Sequence, residues 1–303
     1  MFFYRFHYLF GTLKFFAFIF MIIYSSITEL LLRTFCIPYC FPFLYNFIIS
    51  LYSRIFLILI GVYTIPYKFK KQSKKPDIIL SSQSSLIDWL ILVYNYNPRI
   101  LYIAKSSNNQ QDAFFELSYI SIFFYGAGIK FIKYNPKKKY FDFNNYLDKN
   151  KNERPLLIFP EATKSNRLAV LPIRSNLMDD IYKRAQKNII NIRSEIIINK
   201  NYEINTTDTF GLKSIFSLCC NFYSPVELYS QDIKNSNFLE DNNEYDKTKF
   251  TNFNLYLDSI IQEYLMEPMH RNLVSLNSFD HEKFIEYFRK TNKDSKANYI
   301  KNK

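Results

Sequence analysis

The chain has 303 residues, a formal net charge of +12 and a pI near 9.3. That length is one large domain or two small ones and is ample for a buried core, while the charge favours an anionic partner, either nucleic acid or a phospholipid surface. The four cysteines (Cys36, Cys40, Cys219, Cys220) have no metal-ligand spacing to the three histidines (His7, His270, His281), and the adjacent pair makes a poor disulfide framework; this excludes a cysteine–histidine metal site and predicts a reducing compartment.

Residues 1–67 read as a membrane-directed segment. Phe15 to Leu32 and Phe41 to Val62 are apolar runs, the first about 18 residues and near the lower length for a spanning helix. RTFCIPYCFP, Arg33 to Pro42, separates them, and its two prolines break helix continuity. A cleaved signal peptide fits poorly, because the run is long and aromatic and has no small-residue cleavage site. Two pictures stay open: both helices cross the bilayer, or they form a hairpin that dips into one leaflet. Glu29 and Arg54 favour the hairpin, since charge at the bilayer centre is costly. Either way the ends lie on one side, and removing residues 1–65 is expected to release the chain from membranes. The basic cluster KFKKQSKK, Lys68 to Lys75, marks that side as cytosolic, and it reads as a linker or an anionic-lipid contact.

From Pro76 the pattern alternates. Strands are expected at Asp77 to Leu80, Arg99 to Ala104, Ile129 to Tyr134, Pro155 to Phe159 and Glu195 to Ile198. Helices are expected at Leu86 to Tyr96, Asp112 to Tyr125, Phe141 to Leu147 and Leu177 to Lys187. This alternation predicts an α/β fold over residues 68–230, a mixed but largely parallel sheet flanked by helices. Residues 231–254, rich in Asn and Asp, read as a polar insertion. Residues 255–303 read as closing helices, Phe253 to Leu265 and His281 to Arg289, and a disordered tail.

Two stretches carry chemistry. LLIFPEATKSNRLAVLP, Leu156 to Pro172, is a buried strand followed at once by Glu161, Thr163 and Lys164, and the carboxyl ends of strands are where open α/β sheets put their sites. SSQSSLIDWL, Ser81 to Leu90, sits between a strand and a helix, with Gln83 and Asp88 within reach of each other across the corner. The Ser85-to-Asp88 spacing is also that of a capping box, a purely structural device. Lys105 and Lys137 to Lys139 read as surface cations, Cys219 and Cys220 as small core residues, and the Asn205 sequon as idle on a cytosolic face.

These stretches resemble the motifs of the glycerolipid acyltransferase family, the PlsC-like lysophospholipid acyltransferases. SQSSLID resembles Asn-His-x-Ser-x-x-Asp, with Ser82 and Gln83 in place of Asn and His, and with Ser85 and Asp88 matching. YIAK (Tyr102 to Lys105) and GAGIKFIKY (Gly126 to Tyr134) resemble the next motifs in order. Tyr134, with Lys133 beside it, stands where the family has arginine. FPEATKS resembles Phe-Pro-Glu-Gly-Thr-Arg-Ser. SNRLAVLP (Ser165 to Pro172) and NLVSLNSFDHEKFIEYFRK (Asn272 to Lys290) are similar to the fungal lysophosphatidic acid:oleoyl-CoA acyltransferase branch, which also lacks the motif histidine.

The resemblance implies a glycerol-3-phosphate acyltransferase-like fold and direct transfer of an acyl group from acyl-CoA to lysophosphatidic acid. No cofactor is implied beyond acyl-CoA as co-substrate. It implies Asp88 as the orienting acid, Gln83 at the base position, and Glu161, Thr163, Lys164, Ser85 and Lys133 around the acceptor phosphate. Gln83 departs from the pattern: an amide cannot take a proton near neutral pH. Hence two readings: a membrane-bound acyltransferase of the endoplasmic reticulum or lipid droplet facing the cytosol, or a non-catalytic relative that binds lipid surfaces. Nucleic acid is not expected as a partner, because the basic residues follow an apolar hairpin and are not interleaved with aromatics on an exposed platform.

Overall fold

A computed structural model describes residues 2–70, 75–82, 85–104, 113–126, 154–160, 169–170, 175–187, 190–199, 212–233, 261, 265 and 272–273. The chain opens with α1, Phe2–Thr34. Cys36 then takes a left-handed conformation (φ 54), and a single turn, α2 (Ile37–Cys40), leads into α3, Pro42–Leu59. Both prolines of this connection sit in the first turn of a helix, where a missing N–H costs nothing. Helix α3 stops at Gly61 (φ +86): the Gly61 N–H returns to the Ile58 carbonyl and the Val62 N–H to the Leu57 carbonyl, a Schellman motif that an L side chain at 61 would strain.

The hairpin is two-sided. Its outer surface exposes Leu9, Leu13, Phe16, Phe20, Phe43 and Phe47. Its inner surface enters the protein core. Phe18 of α1, Phe56 of α3 and Phe123 of α5 (Tyr119–Gly126) form one aromatic cluster with centroids 4.4–6.0 Å apart. Polar groups tie the same surfaces: Tyr52 donates to Thr28 Oγ1 (3.0 Å), and Ser53 bonds the Tyr119 hydroxyl (3.1 Å). Glu29, read from sequence as a charge inside an apolar run, points inward. It is buried, pairs with Arg33 at 2.8 Å and accepts the Ile120 N–H at 3.3 Å. Removing residues 1–65 would therefore take Phe18, Glu29 and Phe56 out of the core as well as the outer face. An apolar run says that a helix is greasy; it does not say which side of it faces protein.

The sheet has seven strands among the described residues. They are β1 (Tyr67–Lys70), β2 (Ile78–Leu80), β3 (Arg99–Ala104), β4 (Ala113–Leu117), β5 (Leu156–Ile158), β7 (Ile192–Asn199) and β8 (Val226–Ile233), in the order β1-β8-β7-β2-β5-β3-β4. Strands β7, β2, β5 and β3 run parallel; β4 at one edge and the β8–β1 pair at the other run against them, β1 being parallel to β8. The expected mixed, largely parallel sheet flanked by helices is what the chain builds. A separate pair, β6 (Ala169–Val170) with β9 (Asn272–Leu273), joins the AVLP and NLVSL segments in parallel. Helix α4 (Leu86–Tyr96) lies against α3 and the sheet, with Leu86 to Val93 all buried. Two further helices are α6 (Ser175–Gln186) and α7 (Leu212–Cys219), the latter packed on α1.

Several expectations change. Residues 113–117, read as the start of a helix, form β4; Ser118 ends the strand and caps α5, its Oγ accepting the Ser121 N–H at 3.4 Å. A five-residue apolar run fits either template, and here the edge of β3 decides. Lys68 to Lys70, read as the start of the basic cluster, form with Tyr67 a strand that pairs with β8. Residues 231–233, assigned to the polar insertion, complete β8. The strand expected at 129–134 and the helices at 141–147 and 281–289 lie outside the described residues. Phe56→Ala should cost about 3–5 kcal/mol through the cavity it leaves in the Phe18–Phe123 cluster, measurable as a lowered midpoint in denaturant melts of the detergent-solubilised chain.

Candidate functional site

Strands β2 and β5 are neighbours, in register Leu80 with Ile158. The ladder continues one residue further, the Ser81 N–H donating to the Ile158 carbonyl at 3.2 Å. The first residues of SSQSSLID and FPEATKS, Ser81 and Phe159, thus leave the sheet side by side at the carboxyl end of its parallel strands. Strand β3 pairs with the other side of β5, Leu101 opposite Ile158, and brings YIAK to the same end. Below, Asp77 fixes the strand starts: its Oδ2 accepts the Asn191 N–H at 2.8 Å.

After β2 the chain turns at Ser85, whose backbone is extended (φ −147), and enters α4. The Asp88 Oδ2 accepts the Ser85 N–H at 2.8 Å, and the Ser85 hydroxyl accepts the Asp88 N–H, a complete capping box. Ser82, Ser85 and Asp88 are buried. One residue on, the Trp89 ring meets Phe159 with centroids 4.6 Å apart, so the start of α4 and the tip of β5 are in direct contact. The Trp89 Nε1 is buried without a hydrogen-bond partner among the described residues. Of the expected site residues, Ser85 and Asp88 stand together at this corner. Gln83, Lys133, Glu161, Thr163 and Lys164 lie outside the described residues, although Gln83 is bracketed by Ser82 and Ser85 and Glu161 follows Pro160 directly.

No protein-family model and no curated protein sequence matches the chain. Among solved structures it is similar to the crystal structure of the 1-acyl-sn-glycerophosphate (LPA) acyltransferase PlsC from Thermotoga maritima, at 14% identity and a TM-score of 0.46, over 88% of this chain and 98% of that one. The likeness is loose, and the chemistry has to be sought in this chain's own residues.

A second polar cluster lies under α4, and it was not singled out from sequence. Glu195 of β7 is fully buried; its Oε1 accepts from Tyr96 (2.5 Å) and from Ser230 (2.6 Å), while its Oε2 has no partner among the described residues. Next to it Arg193 pairs with Asp232 at 2.6 Å. A glutamate set among isoleucines, as in IRSEIII, is the signal that could have found it. Burial pushes its carboxyl up to about 7. All four cysteines are unpaired thiols, and burial pushes the Cys219 thiol up to about 12. Among the described residues no three of His, Cys, Asp and Glu gather as a metal-holding group.

Because the folded chain holds the Glu195 proton more tightly than the unfolded chain does, stability should fall as pH rises from about 4.5 towards about 7 and then level off. Glu195→Gln should remove that slope and be the more stable protein above pH 7, as read from melting temperatures between pH 5 and 8.

Proposed function

We propose that the chain is a membrane-bound acyltransferase that moves an acyl group from acyl-CoA onto lysophosphatidic acid, giving phosphatidic acid. The observation that carries the reading is the delivery of SSQSSLID and FPEATKS to one sheet edge by adjacent parallel strands, with Trp89 against Phe159. Their order and their resemblance to the glycerolipid acyltransferase motifs then acquire a common place in space, which motifs in sequence alone lack.

In this reading the glycerol hydroxyl attacks the thioester carbonyl. The C–O bond forms, the C–S bond breaks and coenzyme A leaves as a thiolate that takes up a proton. Gln83 holds the hydroxyl by hydrogen bonds in place of a base, with Asp88 behind it. The proton leaves through water at Ser82 or Ser84, or to Asp88. General base catalysis contributes about 10²–10⁴-fold, so a site lacking it works by positioning and by stabilising the developing oxyanion. Glu161, Thr163, Lys164 and Lys133 hold the acceptor, the lysines as point charges on its phosphate. The hairpin's outer face lies in one leaflet with the sheet on the cytosolic side, at the endoplasmic reticulum or on a lipid droplet. A monotopic pose is supported by the inner face: α1 and α3 each have a protein-facing side, and α4 and α5 would have to follow them into a bilayer they crossed.

One observation favours a second reading, a non-catalytic relative that binds lipid surfaces. The capping box alone accounts for Ser85 and Asp88, and Gln83 cannot act as a base.

Purified chain given labelled oleoyl-CoA and lysophosphatidic acid separates the two. Phosphatidic acid should form, and Glu161→Ala should raise KM for the acceptor by about tenfold or more, as loss of a charged contact does. Asp88→Asn keeps an acceptor for the Ser85 N–H and removes only the charge. Its melting temperature should match the parent's while kcat drops by at least about tenfold. Absence of product assigns the chain to the lipid-binding reading, and an Asp88→Asn variant as fast as the parent leaves Asp88 a helix cap.

A further inference from the structure

We infer that the membrane-contacting surface is composite: beside the outer face of the hairpin it takes in the corner between α7 and β8, at Phe222 and Tyr223, and its partner is the outer part of a phospholipid leaflet. This rests on the hairpin's being membrane-bound and adds where that surface ends.

Four observations meet at the corner. Phe222 and Tyr223 are 41% and 53% exposed, side by side on a turn, although they are large aromatics in a chain with a full core. Each stacks on the hairpin: Phe222 lies nearly parallel to Phe10 of α1 at 4.8 Å, and Tyr223 nearly parallel to Tyr63, just past α3, at 6.4 Å. Two glycines let the backbones close up. A methyl at Gly11 would stand 2.5 Å from the Cys220 sulphur, and one at Gly61 would stand 2.9 Å from the Asn221 carbonyl. Polar bonds then lock the contact: Lys14 donates to the Asn221 carbonyl at 2.6 Å, and the Ser224 N–H to the Gly61 carbonyl at 2.8 Å.

The corner is therefore continuous with the outer face of α1, where Leu9 and Leu13 are exposed. Both long helices of that face are apolar and long enough to cross a membrane. A tyrosine and a phenylalanine at the margin of such a face suit the depth where ring meets headgroup, and the net charge of +12 complements an anionic lipid surface. The position also matters for the site. Val226, the first residue of β8, pairs with Asn199, the last of β7, so the corner stands at the carboxyl end of the parallel strands. That is the end at which SSQSSLID and FPEATKS emerge. The leaflet then reaches the sheet edge where a lipid acceptor and a long acyl chain would have to enter.

The chain has one tryptophan, Trp89, and it is fully buried, so it serves as an internal reference. The full-length protein would carry either Tyr223→Trp or, at the exposed bend of the hairpin, Phe43→Trp. Each would be bound to vesicles of phosphatidylcholine and phosphatidic acid with brominated or plain acyl chains. Bromolipid should quench the fluorescence added by both substitutions to about half and leave the parent unchanged, as interfacial indoles within reach of the chains require. Phe222→Ser with Tyr223→Ser should weaken vesicle partitioning by about tenfold, the loss expected for two interfacial rings, with unchanged far-UV circular dichroism. Quenching at position 43 without quenching at 223, or a double serine variant that partitions like the parent, overturns the composite surface and leaves the hairpin reading intact. Quenching at neither position overturns the hairpin reading itself, and the corner with it.

Discussion

A helix buried on every side has no water for its first amide groups, and α4 is such a helix: Leu86 to Val93 are all enclosed between α3 and the sheet. The unsatisfied donors of its first turn must be met from within the chain. Ser85 and Asp88 meet them reciprocally. The rest of the structure is set by where this cap stands. It fixes the turn out of β2, sets the level at which Trp89 meets Phe159, and so holds the segment after β5 beside the segment after β2. A hydrogen-bond acceptor in this position is needed for the fold whether or not the carboxylate also serves chemistry. A change of role at this corner would leave the Ser85–Asp88 pair in place.

The far end of α4 is held by a different device. Asn97 takes a left-handed conformation, its N–H caps Val93, and its side chain donates to Asn46 at 2.6 Å and accepts from Arg154 at 3.3 Å. Pro98 follows and forbids another turn. Tyr96 reaches across to Glu195 and ties the helix to the β7–β8 pair. Helix α4 is thus pinned by hydrogen bonds at both ends and by packing between them, which suits an element that has to present a corner in one geometry.

Much of this was legible in the chain. Strands β2, β3 and β5 are short apolar runs bounded by Asp, Pro or Ser, and α4 runs from an N-cap serine to an Asn-Pro stop, so their limits come from local chemistry. The Ser85–Asp88 spacing pointed to a cap, and a cap is there. What escaped depends on partners distant in sequence. AFFEL is a strand because β3 has an open edge beside it, and YKFK is one because β8 returns next to it. Helix α7 is eight residues long and keeps its apolar side for α1. The Glu195 network needs the pairing of Glu195 with Ser230 before it exists at all. Likewise, the apolar runs Phe15 to Leu32 and Phe41 to Val62 announced two helices but hid their division into an outer face and a core face.

The contact between Lys14 and the Asn221 carbonyl spans 207 residues. During synthesis Lys14 is made well before the corner that it ties. At about 5–20 residues per second, roughly 10–40 s separate Lys14 from Asn221. For that interval the stretch of α1 that α7 will cover is bare, as is the side that stays outside. A bilayer beside the ribosome would shelter both, and completing the fold would then mean drawing one face of the helix back out of lipid and onto protein.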